Sequence, residues 1–77
     1  MSKLRLIDAR SMEKLLFNLD FKRIRQKGSH VFYRHQDGRT TTVPFHLAKD
    51  LARPLIREIL NDINIGVDEY NELLKDI

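Results

Sequence analysis

The chain has 77 residues, 42% of them hydrophobic and 32% charged, and no cysteine. That length supports one domain over residues 1–77 and leaves no interior for a second core. The missing thiols exclude both a disulfide framework and a thiolate metal site. No run approaches the ~20 apolar residues of a membrane span, and no signal-peptide core follows Met1. The expected compartment is therefore the cytoplasm, with no membrane partner. Charge is divided along the chain: residues 1–49 carry eleven Lys/Arg against four acids, whereas residues 50–77 carry three against seven. A polyanion is the partner suited to the basic front, and the acidic tail would repel one.

Met12, Leu15, Leu16 and Leu19 recur at helical spacing and predict the first helix. Asp8 is its expected N-cap, with Ser11 as competitor, and Leu4, Leu6 and Ile7 are expected to anchor the leader on the core. Asn18-Leu19-Asp20 ends the helix. Phe21, Ile24 and Gln26 then belong to a short strand studded with Lys22, Arg23, Arg25 and Lys27. Its alternation is imperfect, which predicts a bulge or an edge position.

Gly28-Ser29 predicts a hairpin turn into a strand over His30–Arg34. Val31 and Tyr33 would face one way and His30, Phe32 and Arg34 the other. His35-Gln36-Asp37-Gly38 is a turn signal, because Asp-Gly tolerates positive φ, and His35 is expected to be solvated there. Thr40 to Phe45 form the third strand, with Pro44 marking an edge or a stop. After a crossover, Pro54 suits the first turn of a helix whose apolar stripe is Leu55, Ile56, Ile59, Leu60 and Ile63. Asn64-Ile65-Gly66 closes that helix. Asp68 helps to start a short terminal one, with Tyr70, Leu73 and Leu74 inward. The order α-β-β-β-α-α predicts an α+β fold, a three-stranded antiparallel sheet with helices packed on one face.

His30 is the leading catalytic candidate. RNA brings its own nucleophile, the 2′-hydroxyl, so an endoribonuclease needs only a base, an acid and cations for the developing phosphoryl charge. An imidazole can fill either proton role, and Arg25, Lys27, Arg34 and Lys49 are candidate cations. The competing account of His30 is a half-buried strand residue with a hydrogen-bonded ring. His46 would bind phosphate, pair with His30 or cap the next turn, and a structural or orienting role is preferred. The three histidines lack the spacing of a helical metal site, and Asp37 is the lone acid of the central sheet, so neither a metal nor a cofactor is expected. Phe32 and Tyr33 interleave with arginines like a base-stacking platform, although alternation lets at most one of them stack.

These motifs together resemble the HicA (YcfA-like) family of bacterial toxins. The resemblance runs from Lys3-Leu4-Arg5 and Leu19-Asp20-Phe21, where family members usually have Gly-Phe, through Arg25-Gln26-Lys27-Gly28-Ser29-His30. It continues through Arg34-His35-x-Asp37-Gly38, Val43-Pro44-x-His46, Lys49-x-Leu51 and Ile59-Leu60 to Ile65-x-Val67-x-Glu69-Tyr70-x-x-Leu73-Leu74. It implies a small double-stranded-RNA-binding-like fold and a ribosome-independent mRNA interferase with His30 as the catalytic histidine. RNA-binding residues would be Arg25, Lys27, Ser29, Arg34 and Lys49, supported by Gly28 and His46. It also implies a HicB-type antitoxin that covers the active site. Leu47-Ala48 stands where a glycine is common, and Arg53-Pro54 where a small pair often precedes the second helix. The competing functions are a non-catalytic RNA-binding module of the same fold and a domain whose basic face docks an acidic protein.

Overall fold

Asp8 opens the first helix. In the computed structural model, which describes residues 3–46 and 49–77, α1 spans Ala9–Asn18. The Asp8 carboxylate accepts the Ser11 N–H at 2.9 Å, so Asp8 rather than Ser11 is the cap. Met12, Leu15 and Leu16 are fully buried along one face. The helix ends in a Schellman arrangement: the Phe21 N–H donates to Leu16 O at 2.9 Å and the Asp20 N–H to Phe17 O at 3.0 Å. That closure needs a left-handed residue at Asp20, whose φ is 70°. Such a site is suited to glycine.

The sheet is antiparallel in the order β1-β2-β3, with β1 at Lys22–Lys27, β2 at His30–Arg34 and β3 at Thr40–Pro44. Both outer strands are edges. Opposite residues are Lys22↔Arg34, Arg23↔Tyr33, Arg25↔Phe32, Gln26↔Val31 and Lys27↔His30, with the register slipping between Arg23 and Arg25. Ile24 is thus the extra residue of a bulge, in keeping with the broken alternation. Strict alternation would place Lys22 on the opposite face from Arg25 and Lys27; the bulge turns all three outward with His30, Phe32 and Arg34. Arg23 instead turns toward α1, where Glu13 accepts its guanidinium. Phe21 is buried but precedes the strand that it was expected to begin.

Val31, Tyr33 and Val43 form the inner face, with relative exposures of 1%, 0% and 0%. They pack beneath α1 and α2 (Arg53–Ile63), the latter offering Ile56, Ile59, Leu60 and Ile63. Pro54 lies in the first turn of α2, and Asn64 ends it in the left-handed conformation at φ 60°. The short α3 (Val67–Leu73) runs into a single 3₁₀ turn at Leu74–Asp76, and Tyr70 and Leu74 face inward. Among the described residues, no helix is long and apolar enough to cross a membrane.

The leader is strapped down by polar side chains as much as by apolar ones. The Tyr70 hydroxyl donates to Arg5 O at 2.6 Å, Arg53 Nη1 to Leu4 O at 2.9 Å and Asn71 Nδ2 to Lys3 O at 3.0 Å. The Leu51 N–H donates to Ile7 O at 2.8 Å. Leu4 is buried as expected and the partly buried Ile7 packs against the core, but Leu6 is 41% exposed and does not anchor the leader. His35 is packed rather than solvated. Its side chain is only 14% exposed, its ring lies edge-on to Phe21 at 5.1 Å, and its Nδ1 accepts the Asp37 N–H at 3.0 Å.

Candidate active site

Gly28 makes the turn that presents His30. Its φ of 59° belongs to the left-handed region, and the Gln26 side chain donates to its carbonyl at 2.9 Å. Ser29 follows, half-buried, and its carbonyl accepts the Phe45 N–H at 2.7 Å, tying the end of β3 to the turn. His30 is the first residue of the central strand, with Lys27 opposite on one side and Pro44 on the other. Backbone pairing on both flanks fixes the direction of the side chain, while the imidazole remains exposed.

The outer face is a grid read directly from the register. Its first row is Lys27, His30 and Pro44; its second Arg25, Phe32 and Thr42; its third Lys22, Arg34 and Thr40. Arg25, Lys27, His30, Phe32 and Thr42 line one shallow hollow of about 270 Å³. Within it the Arg25 guanidinium lies over the Phe32 ring, 5.3 Å from the centroid, a cation–π contact on a wet surface. Two cations, an imidazole and a hydroxyl, all exposed, therefore meet one half-buried aromatic ring. Such a hollow can neutralise a phosphate, move a proton at one edge and cover the face of a base.

The remaining candidates lie elsewhere. Arg34 shares a cleft of about 390 Å³ with Asp20, Lys22, Ile24, His35 and Gln36, at the far end of the strand from His30. His46 and Lys49 line a separate cleft of about 690 Å³ with Pro44, Phe45, Asp50, Leu51, Ala52 and Leu55. The Leu47-Ala48 departure from the family pattern falls outside the described residues. Along the open edge of β3, His30 and Phe32 border a further hollow that also takes in Glu58 and Asp62 of α2. The Thr41 hydroxyl donates to Asp62 Oδ2 there at 3.0 Å. The basic face thus meets an acidic margin on that side.

Lys22, Thr42 and Glu58 were not among the sequence candidates. Lys22 and Thr42 become visible only once the bulge and the strand register are known. Glu58 reaches the margin through the packing of α2 on β3, which no local pattern announces. Among the described residues, no group of three or more His, Cys, Asp or Glu side chains is placed to hold a metal ion.

The family described as the HicA toxin of bacterial toxin–antitoxin systems matches residues 9–65. The chain belongs to the HicA toxin family. It is accordingly the toxin of a toxin–antitoxin system. No curated protein matches the chain. The HicA match begins at the first residue of α1 and ends just beyond α2, so it contains all three strands and both hollows around His30. The leader and α3, which the Tyr70 hydroxyl joins, lie outside the matched stretch of this HicA chain.

Proposed function

We propose that this toxin is a metal-independent endoribonuclease that cleaves mRNA without the ribosome, with His30 as its catalytic residue. The single observation that supports it most is the exposed His30 imidazole sharing one hollow with Arg25, Lys27, Phe32 and Thr42. The 2′-oxygen of the substrate attacks the adjacent phosphorus, and the bond to the 5′-oxygen breaks. The products are a 2′,3′-cyclic phosphate and a 5′-hydroxyl end. The proton leaving the 2′-hydroxyl and the proton gained by the 5′-oxygen define two roles, and His30 fills at least one of them. Arg25 and Lys27 offset the charge that grows on the phosphoryl oxygens, where fixed cations are worth most. Ser29, Arg34 and Lys49 hold more distant parts of the RNA, while Gly28 sets the turn and His46 steadies the chain beyond β3.

A HicB-type antitoxin is the proposed partner, laid over the outer sheet face so that the hollow is closed to RNA. The cytoplasm, where mRNA and antitoxin meet, is the proposed compartment. The test is cleavage of a defined RNA by purified protein in EDTA. His30→Ala is expected to abolish cleavage and growth arrest while retaining the fold and antitoxin binding. Intact RNA that remains bound by the wild-type protein would instead identify a non-catalytic RNA-binding module.

A further inference from the structure

Resting on that function, we infer that the RNA is taken as a single strand running along β2, its phosphates over three successive rows of the outer face. In this arrangement the base next to the scissile linkage stacks on the Arg25–Phe32 pair. A phosphate further along is held by Lys22 and Arg34. Two residues along a strand advance about 6.5–7 Å, close to the separation of successive phosphates in an extended single strand. The rows led by Lys27, Arg25 and Lys22 are spaced by that step, because the bulge at Ile24 absorbs the odd residue between them. Without the bulge, Lys22 would point to the opposite face and Arg23, which now reaches Glu13, would stand opposite Arg34 in its place.

Two further observations favour a single strand over a duplex, and a third suits RNA. The middle row carries a half-buried aromatic ring between two rows of cations, an arrangement that a base can use only when unpaired. The cleft at the third row is lined by Lys22 and Arg34 together with Ile24, which is 52% exposed and offers a second apolar surface for a base. Thr40 and Thr42 stand on β3 beside Arg34 and Phe32, presenting hydroxyls along the same line, where a ribose 2′-hydroxyl can donate or accept. The acidic margin of Glu58 and Asp62 lies beyond β3 and confines a polyanion to the β1–β2 side.

The test is binding of oligoribonucleotides to a His30→Ala form, read by fluorescence anisotropy across a range of salt concentrations. Using that form separates the track from cleavage. Single strands are expected to bind at least about tenfold tighter than a blunt duplex of the same sequence. Phe32→Leu, which keeps apolar bulk but removes the ring, should weaken the single strand by about tenfold. Lys22→Gln and Arg34→Gln should each lower the salt slope by about 0.7 and weaken sequences uniformly. Circular dichroism confirms that these surface variants are folded. RNA binding unaffected by all three substitutions, or equal affinity for duplex, overturns the track and leaves the nuclease proposal standing. Failure of any RNA to bind sinks both. Polyglutamate bound as tightly as RNA would mark this face as a protein-docking surface and likewise overturn the inference.

Discussion

The Tyr33 hydroxyl donates to Glu13 Oε2 at 2.5 Å, joining the central strand to α1 beneath the sheet, and Arg23 donates to the same carboxylate oxygen. Tyr33 is fully buried, whereas the Arg23 side chain is 41% exposed. Burial, reinforced by the Glu13 carboxylate, pushes the Tyr33 phenol well above its usual range. The inner bond fixes β2 from below while its other face remains open.

The two partners of Glu13 should therefore differ in worth. Tyr33→Phe removes a hydrogen bond to a charged, mostly buried acceptor and should cost about 1–2 kcal/mol. Arg23→Gln breaks an ion pair with a solvent-exposed side and should cost less than about 1 kcal/mol. Urea unfolding of each variant gives both values. A larger loss from Arg23→Gln would mean that the ion pair, not the phenol, holds α1 to the sheet.

Asp20 carries a conformation that glycine adopts without cost. Its φ of 70° is imposed by the two closing bonds of α1. A left-handed conformation costs an L-residue about 1–2 kcal/mol, which Asp tolerates better than most. Asp20→Gly should stabilise the protein by roughly 0.5 kcal/mol once glycine's extra chain entropy is counted, and Asp20→Val should destabilise it by about 1 kcal/mol or more. Thermal unfolding should rank the variants Gly above Asp above Val. Any other order would show that the Asp20 side chain has a stabilising role of its own.

The elements, the caps and the turns were legible because each is written locally. Asp8 is followed at once by the helical spacing of Met12, Leu15 and Leu16, and Gly28 and Gly38 stand where positive φ is needed. The inward and outward faces of β2 followed from alternation, and a bulge could be expected in β1 although its position could not. That position decides which of the five charged or polar residues of β1 share the face of His30, and it depends on pairing with β2 rather than on β1 itself. His35 departs from its local pattern for a related reason. A histidine at a hairpin end looks solvated until Phe21, fourteen residues earlier in the chain, is seen packed against its ring. The edge margin of Glu58 and Asp62 is likewise a product of helix-on-sheet packing.

Acid should weaken the fold through the α1 cap in a way that can be isolated. Hydrogen bonds from Ser11 hold the Asp8 carboxyl below its ordinary value of 3.8. A carboxylate whose folded pKa is depressed contributes stability that is present above the unfolded value and is lost as pH falls through the folded one. The loss therefore begins near pH 4 and continues below it. Asp8→Ala should cost about 1 kcal/mol at neutral pH, whereas Asp8→Asn, still a competent cap, should cost only a few tenths. Asp37 is also depressed, chiefly by the Arg39 N–H, so the wild-type acid profile mixes the two groups. The difference in stability between wild type and Asp8→Asn removes the Asp37 part. That difference, measured by urea unfolding between pH 7 and pH 2, should shift in favour of Asn as Asp8 takes up its proton. A difference that stays flat would mean the Ser11 N–H is held equally well by the neutral acid, and that the charge of Asp8 does nothing for α1.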